Sequence, residues 1–317
     1  VRHRVRNGRN RSPAGPDRGG NRPGHDGRCF GSPLCPASAG PCLICCEQFK
    51  QDALKDNMIV LLDVGNSRLK LGWQHPTLGR EPAVHAIALN PLAQVPELLR
   101  KWLEALPMQP TEVRGVNVAG MVVAERLEQF FQPFGCPVQW LRPTAETLGI
   151  QNRYNNPDQL GADRWAAILG LAGYFLNQAQ GNRRPLVLAT FGTATTIDTL
   201  GSDLAFEGGL ILPGPSLMRQ SLAQGTANLP LANGAGNDFP KHTLQAISTG
   251  VVAAQAGAVW RQCAVVEKHY GVAPLLCVSG GGWPEVEGEV RRVLAHLEIR
   301  FFANPVLDGL VRMKLDS

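Results

Sequence analysis

The sequence lacks the local signatures of several common sites. It contains no Gly-Lys dipeptide, which excludes a P-loop in its usual form, and neither an H-E-x-x-H nor a G-x-S-x-G motif occurs. No apolar run reaches the roughly 18–20 residues that a membrane helix needs. Aromatic residues make up 6% of the chain, and the seven histidines are scattered. With 44% hydrophobic residues among 317, the chain is still apolar enough for one large or two ordinary folded domains.

Residues 1–57 differ in composition from the rest of the chain. They hold ten of the 31 Lys and Arg but five of the 26 Asp and Glu, so they carry the whole formal charge of +5. Up to about Gly40 the segment is mainly Arg, Gly, Pro, Asn and Ser, which cannot bury enough apolar surface to offset chain entropy. We predict that residues 1–57 are a disordered or mis-annotated basic extension, because Met58 is followed at once by a clear strand.

Three functional interpretations of this extension stay open: a basic nucleic-acid arm, a metal site around Cys42 and Cys45, and a targeting peptide. Each has little support. Prolines interrupt the candidate apolar core of a targeting signal, and no second ligand pair at regular spacing accompanies the two cysteines. Residues 58–317 are formally neutral, which argues against a nucleic-acid partner because such affinity comes largely from Lys and Arg contacts to phosphate.

From Met58 onward, strand and helix patterns alternate. Residues 59–62 form a continuous apolar run typical of a buried strand, and residues 68–73 alternate between polar and apolar, as in a half-buried strand. Helical spacing of apolar residues predicts helices that include 95–106, 160–176 and 287–297.

A second apolar strand begins at Leu186 and leads into a Gly-Thr turn, so both halves of the body open with the same strand–turn–strand unit. The repeated alternation predicts an α/β architecture with two similar lobes. We place the lobes at residues 58–180 and 181–317, because a loop rich in Gly, Asn and Arg separates them.

The turn after the first strand, Asp63-Val64-Gly65-Asn66-Ser67, combines a carboxylate with a glycine and small polar residues. Backbone N–H groups and hydroxyls in such a turn can bind phosphate oxygens, and Asp63 could hold Mg²⁺ directly or through water. The same pattern is also typical of an ordinary hairpin. The matching turn in the second lobe contains Gly192 and Thr193, with Thr190 at the position that corresponds to Asp63. One turn per lobe favours a nucleotide-binding cleft.

The long predicted helix opens with Gly161-Ala162-Asp163-Arg164. In the functional interpretation, Asp163 is a general base and Arg164 anchors an anionic or polar substrate. The alternative is structural, since an acid near a helix N-terminus is a common capping arrangement. Tyr154 lies upstream in a loop well suited to contact a ligand.

Five motifs together resemble the type III pantothenate kinases, also described as the Bvg accessory factor family. The resemblance covers residues 58–317 and none of residues 1–57. The motifs follow the family order and are Asp63-Val64-Gly65-Asn66-Ser67, Gly161-Ala162-Asp163-Arg164, Phe191-Gly192-Thr193-Ala194-Thr195-Thr196, Gly208-Gly209 with Pro213-Gly214, and Thr226-Ala227-Asn228-Leu229-Pro230.

The resemblance implies the acetate and sugar kinase/Hsp70/actin superfamily fold, with two ribonuclease-H-like lobes and ATP between them. It implies an enzyme that transfers the γ-phosphate of ATP to the 4′-hydroxyl of pantothenate, the first step of coenzyme A biosynthesis. It also implies a cytoplasmic homodimer that requires Mg²⁺ and a monovalent cation, with no nucleic-acid or membrane partner. The alternative is a non-catalytic regulatory accessory protein on the same fold. The retained Asp63, Asp163, Arg164 and Thr193 favour the enzyme.

The resemblance also assigns roles to individual residues, with Asp163 as the proton acceptor. The residues implied to contact ATP are Asp63, Val64, Gly65, Asn66, Ser67, Arg68, Leu69, Lys70 and Thr193. Those implied to bind pantothenate are Tyr154, Gly161, Ala162, Asp163, Arg164 and Thr226.

The position of Thr190 departs from the family pattern. Many members have Asp there, and that Asp is associated with the monovalent cation, K⁺ or NH₄⁺. A neutral hydroxyl is a poorer cation ligand than a carboxylate, so the requirement is in doubt. We expect weaker cation activation rather than lost catalysis.

Overall fold

The computed structural model describes residues 58–75, 79–176, 183–233 and 236–313. The expectations for residues 1–57 therefore lie outside the described residues. Within the described ranges, no helix has the combination of length and hydropathy required to cross a bilayer.

The first mixed sheet is formed by residues 58–140. Its strands are β1 (Met58–Val64), β2 (Arg68–His75), β3 (Gly79–Arg80), β4 (His85–Ala88), β5 (Pro110–Asn117) and β6 (Val138–Trp140). The order is β3-β2-β1-β5-β6, with β4 also paired to β2. β1 and β2 are antiparallel, whereas β5 runs parallel to β1 and β6 parallel to β5. The apolar run in β1 is almost wholly buried, as its sequence predicts.

The second mixed sheet contains seven strands. They are β7 (Glu146–Thr147), β8 (Ile150–Asn152), β9 (Leu186–Phe191), β10 (Ala194–Leu200), β11 (Ala205–Pro213), β12 (Leu275–Ser279) and β13 (Ile299–Phe301). The order is β13-β12-β9-β10-β11-β8-β7. β9, β10 and β11 form an antiparallel meander, and β12 is parallel to β9 and β13 to β12.

Both sheets therefore contain the same arrangement, a three-stranded meander whose first strand is extended by two parallel strands. This repeated order confirms the predicted α/β class with two ribonuclease-H-like lobes. β7 and β8 precede residue 181 yet belong to the second sheet, where β8 pairs with β11. The division of the chain at 180/181 stays a prediction.

In the described part of the chain, four helices share a core with one sheet each. α1 (Val95–Glu104) and α2 (Met121–Phe131) share a core with the first sheet. In the second lobe, α5 (Thr243–Tyr270) and α6 (Trp283–Val293) share a core with the second sheet. α6 begins at Trp283, four residues before the helix predicted at 287–297. Pro284 lies in its first turn, where a proline is tolerated because a backbone N–H at that position would have no partner within the helix.

Two further helices lie between the sheets. α3 (Ala162–Leu176) and α7 (Pro305–Arg312) pack together, and their apolar residues join a core that includes residues of both sheets. The backbones approach closely through glycines: a Cβ at Gly170 would lie 2.2 Å from the Pro305 carbonyl oxygen, and one at Gly309 would lie 1.9 Å from the Ala166 carbonyl oxygen. This contact fixes the helix that begins with the Asp163-Arg164 pair.

α7 is also bonded to the first sheet. Arg80 of β3 donates from Nε to Asp308 Oδ1 at 2.7 Å. Arg114 of β5 donates from Nη1 to the carbonyl oxygens of Leu310 at 3.3 Å and Val311 at 3.2 Å, which satisfies acceptors at the end of the helix. The last described helix is therefore bonded directly to the first sheet as well as packed against α3.

Candidate active site

The first strand turn fixes a buried carboxylate. Asp63, at 5% exposure, is paired in register with Lys70 across the β1–β2 hairpin, and Lys70 Nζ donates to Asp63 Oδ2 at 2.8 Å. The turn is closed by the Gly65 N–H, which donates to the Arg68 carbonyl oxygen at 3.0 Å. Because the ion pair orients the carboxylate, Asp63 is held at the mouth of the turn rather than free to rotate.

The predicted nucleotide-binding residues of this turn divide into two groups. The side chains of Val64 and Leu69 are fully buried in the core beneath the sheet, so only their backbone can reach a nucleotide. Asn66, Ser67 and Arg68 are exposed.

The turns of the two lobes meet. Ser67 Oγ lies 3.1 Å from Thr193 Oγ1, although the residues are 126 positions apart. The second turn is closed by the Gly192 N–H, which donates to the Ala194 carbonyl oxygen at 3.0 Å. The sequence predicted both turns separately, and the structure places their hydroxyls side by side.

The Thr193 turn also contacts α4 (Pro215–Gly225), which follows β11 directly. The Gly214 N–H donates to the Thr193 carbonyl oxygen at 2.9 Å. A Cβ at Gly214 would lie 2.1 Å from the Gly192 carbonyl oxygen, so a larger residue could not occupy this position without moving the backbone. The electropositive end of α4 is thereby brought against the turn, where it favours an anionic ligand.

Asp163 occupies the first turn of α3. Its Oδ1 accepts from the Arg164 N–H at 2.8 Å, so the structural role that its position predicts is present. Burial raises the pKa of the Asp163 carboxyl above its ordinary range, a hydrogen bond from the Arg164 backbone opposes the shift, and the nearby negative charge of Asp63 adds to it. A carboxylate with a raised pKa is a better proton acceptor than an exposed one.

Arg164 points into the protein and is bonded to Asp198. Its Nε lies 3.0 Å and its Nη2 2.5 Å from Asp198 Oδ1, and its Nη1 donates to the Tyr154 hydroxyl at 3.0 Å. Arg164 is 6% and Asp198 1% exposed. Burial raises the pKa of Asp198 to about 6, although the hydrogen bonds and charge of Arg164 oppose this. A buried carboxylate therefore already compensates the charge of Arg164, and its role as an anchor for an anionic or polar substrate stays a prediction.

Asp198 is the site residue that sequence reasoning missed. Its one signal is a carboxylate within the strand Ala194–Leu200, which otherwise carries apolar and threonine side chains. Gly209 lies opposite Asp198 in the β10–β11 register, and a Cβ there would lie 2.4 Å from Asp198 Oδ1. The Gly208-Gly209 motif thus leaves room for the Arg164–Asp198 pair.

Two predicted site residues lie apart from these contacts. Thr226 Oγ1 donates to the Leu222 carbonyl oxygen at 2.8 Å and accepts from the Leu229 N–H at 3.2 Å, at the end of α4. Neither Leu222 nor Leu229 is a predicted site residue, so these two hydrogen bonds do not connect Thr226 to the other predicted site residues.

Thr190 is half-buried on β9, and its neighbours across the sheet are Thr196 and Ser279. Each of these residues offers a hydroxyl instead of a carboxylate. Over the described ranges, no three His, Cys, Asp or Glu residues cluster as a metal cage.

A sequence model of the type III pantothenate kinases matches residues 59–265. The chain belongs to the type III pantothenate kinase family. It is 47% identical over 267 residues to a type III pantothenate kinase from Bordetella pertussis, covering 81% of this chain and 97% of the relative. It is 50% identical over 261 residues to the one from Bordetella petrii, covering 80% and 96%.

A solved structure is also similar, component A of the (R)-2-hydroxyglutaryl-CoA dehydratase of Acidaminococcus fermentans, with a TM-score of 0.48 and 11% identity, covering 81% of this chain and 95% of that one. Membership of the type III pantothenate kinase family follows from the sequence matches. The predicted family and enzyme class are confirmed: the chain is a kinase that phosphorylates pantothenate with ATP in coenzyme A biosynthesis.

Proposed function

We propose that the cleft at the two turns transfers the γ-phosphoryl group of ATP to the 4′-hydroxyl of pantothenate, with Asp163 as the proton acceptor. The observation that carries this assignment is the 3.1 Å contact between Ser67 and Thr193, which joins one turn from each lobe into a single surface. Both turns offer hydroxyls and backbone N–H groups to phosphate oxygens, and the end of α4 adds a favourable dipole. The negative charge of Asp63 contributes to the raised pKa of Asp163, which supports a position of the proposed base near this surface.

The chemistry needs positioning and charge neutralisation more than covalent participation by the protein. As the bond from the 4′-oxygen to the γ-phosphorus forms, the bond from that phosphorus to the bridging oxygen breaks and ADP leaves. The alcohol proton passes to Asp163, whose raised pKa suits that role. Pantothenate would lie between Asp163 and the Arg164–Tyr154 pair. The test is an assay for phosphopantothenate with the full wild-type chain, ATP and pantothenate. If the wild-type chain forms no product, this proposal fails.

The turn residues fit a bound Mg²⁺. This ion usually keeps several waters and takes one or two carboxylates together with substrate phosphates. Asp63 supplies one buried, oriented carboxylate, and Ser67 and Thr193 supply neighbouring hydroxyls. When bound, Mg²⁺ would neutralise charge on the phosphates, while Lys70 keeps Asp63 in place.

The surroundings of Thr190 fit a monovalent cation poorly. Thr190, Thr196 and Ser279 lie side by side across three strands and offer neutral oxygens. Since neutral hydroxyls attract a cation less strongly than a carboxylate, we propose weak activation by K⁺ or NH₄⁺.

The exposed face of α5 supports a homodimer. Residues 243–260 contain no charged side chain, yet Trp260 is 52% exposed, and the exposed small residues Ala246, Gly250, Ala253 and Gly257 share its side of the helix. Long uncharged stretches on a water-facing helix are typical of interfaces between subunits. Light scattering should report a dimer, and Trp260→Glu should shift it towards monomer.

A cytoplasmic location is proposed because coenzyme A biosynthesis uses cytoplasmic ATP. The free thiols of Cys136, Cys263 and Cys277 are buried and support a reducing compartment.

A further inference from the structure

Arg164 has most of its hydrogen-bonding capacity satisfied inside the protein. A guanidinium carries five N–H groups. Nε and Nη2 of Arg164 each donate to Asp198, and Nη1 donates one hydrogen to the Tyr154 hydroxyl. These bonds leave one hydrogen on Nη1 and one on Nη2 uncommitted to Asp198 or Tyr154, while the positive charge is balanced by a carboxylate that is 1% exposed.

Aromatic rings fix the same guanidinium from its sides. Arg164 Cζ lies 5.9 Å from the centroid of the Tyr154 ring and 5.8 Å from that of the Phe206 ring. The two rings pack on each other with centroids 5.5 Å apart. The guanidinium thus has one well-defined orientation.

The loop that carries Tyr154 is itself tied to β11. The Arg153 N–H donates to the Phe206 carbonyl oxygen at 3.1 Å, and Arg153 Nη2 donates to Asp203 Oδ2 at 2.7 Å. A second ion pair joins Arg153 to Glu207, the residue before the Gly208-Gly209 pair. The loop, the guanidinium and the strand therefore form one connected unit.

We propose that Asp198 is a positioning residue for the alcohol substrate: it balances the charge of Arg164 and fixes the guanidinium plane, so that Arg164 offers hydrogen-bond donors to an uncharged oxygen of the substrate rather than a cation to an anion. This inference rests on the proposed function of the cleft. It assigns an uncharged acceptor, such as an amide carbonyl or a hydroxyl, to the part of pantothenate next to Arg164 and Tyr154. The pantothenate carboxylate lies elsewhere.

Two variants separate geometry from charge. Asp198→Asn keeps the shape and removes the balancing charge. Gly209→Ala keeps both charges but places a methyl carbon 2.4 Å from Asp198 Oδ1 and from the Ile197 carbonyl oxygen and 2.9 Å from Arg164 Nη2. It therefore shifts the Arg164–Asp198 pair relative to β11 without removing a charge. In both variants the KM for pantothenate should rise at least about tenfold while the KM for ATP stays within about twofold.

A second readout detects the unbalanced charge itself. In Asp198→Asn, sulfate should compete with pantothenate at lower concentrations than in the wild type, because an uncompensated guanidinium attracts anions. In Gly209→Ala the sulfate inhibition constant should stay at the wild-type value. A merely structural role for Asp198 would not produce this difference between the variants.

Matched controls lie outside the cleft. Glu112→Gln removes the carboxylate partner of Arg114, another largely buried arginine, and Gly288→Ala adds a methyl where nothing lies within 4 Å. Both should keep wild-type KM values for the two substrates.

The outcomes distinguish this inference from the proposed function. A wild-type chain that does not phosphorylate pantothenate overturns the function itself. If the wild type is active and Gly209→Ala and Asp198→Asn keep its KM for pantothenate, the positioning role is wrong and the function stands. Unchanged sulfate inhibition in Asp198→Asn overturns the charge-balancing role. Should Asp198→Asn be recovered unfolded, the KM values of Gly209→Ala decide.

Discussion

Ser67 and Thr193 form the direct contact between the two strand turns, with their side-chain oxygens 3.1 Å apart. Ser67 follows the first strand of one lobe and Thr193 the first strand of the other. Each hydroxyl lies in a turn that is closed by its own backbone hydrogen bond, so the contact joins two turns of fixed conformation. Relative movement of the lobes would change the distance between these two oxygens directly. This distance is therefore a measure of how far apart the two turns are.

Removal of the Thr193 hydroxyl should weaken nucleotide binding. Hydrogen bonds to a charged group such as a phosphate contribute about 1.5–3 kcal/mol, so Thr193→Ala should raise the KM for ATP by about ten- to a hundred-fold. The KM for pantothenate should change little. Thr144→Ala, which removes an exposed hydroxyl bonded to Glu146 and Thr147, is the control and should leave both constants unchanged. An unaltered KM for ATP in Thr193→Ala would remove this residue from the nucleotide site.

Asp163→Asn should lower kcat while leaving the KM for ATP near its wild-type value. Proton transfer by a positioned side chain contributes about 10²- to 10⁴-fold, and the amide cannot accept the alcohol proton. Asp158→Asn is the matched control, since Asp158 is an exposed carboxylate upstream of the same helix. Single-turnover rates of phosphopantothenate formation give the comparison. Full activity in Asp163→Asn would contradict the base assignment.

The pH profile of kcat/KM should report the raised pKa of Asp163. The acceptor must be deprotonated, so activity falls as pH drops through this pKa. Burial, together with the charge of Asp63 and against the Arg164 hydrogen bond, places the fall above the pKa of about 3.9 of an unperturbed Asp. Asp63→Asn removes the negative neighbour and should move the acid limb to lower pH, whatever its effect on the maximal rate. An acid limb at the same pH in both proteins would refute the coupling.

Thr190→Asp should introduce stronger activation by K⁺. The wild-type position offers hydroxyls from Thr190, Thr196 and Ser279, whereas the variant adds a carboxylate to the same place. Rates with KCl and with tetramethylammonium chloride, at equal ionic strength, measure the activation. Thr144→Asp controls for added surface charge. A wild-type chain already as dependent on K⁺ as the variant would show that hydroxyls suffice.

Gly309→Ala should destabilise the fold. The added carbon would lie 1.9 Å from the Ala166 carbonyl oxygen, a backbone atom that no side-chain rotation can move. Overpacking typically costs about 1–3 kcal/mol, which denaturant titration resolves. Gly288→Ala in α6 has open space and should instead stabilise by about 0.5–1 kcal/mol. Equal stability of the two variants would mean that α3 and α7 can separate at little cost.

The elements that were predicted from the sequence are those whose formation depends on residues close together in the chain. The buried strand Met58–Val64 and the helices at 95–104 and 162–176 follow from local apolar spacing, and the turns follow from glycine and small polar residues. Short pieces such as β7, β13 and α7 were not predicted, because two- to eight-residue segments carry too little periodicity and depend on the partners that they pack against.

The same distinction holds for the site. Asp63, Asp163 and Thr193 were recognised from motifs that are contiguous in the sequence. The Arg164–Asp198 pair joins residues 34 positions apart, and the space for it is created by a glycine on a third element. No local pattern could reveal that Arg164 is already neutralised, since charge compensation depends on what the fold places beside it.

The position of α7 affects the order in which the protein can fold during synthesis. Leu61 and Val116 of the first sheet share a core with Leu307 and Leu310 of this helix. On the ribosome, the first lobe therefore exposes part of its apolar interior until residues 305–312 have emerged. The two lobes are expected to reach their final structure together, late in translation, rather than one after the other.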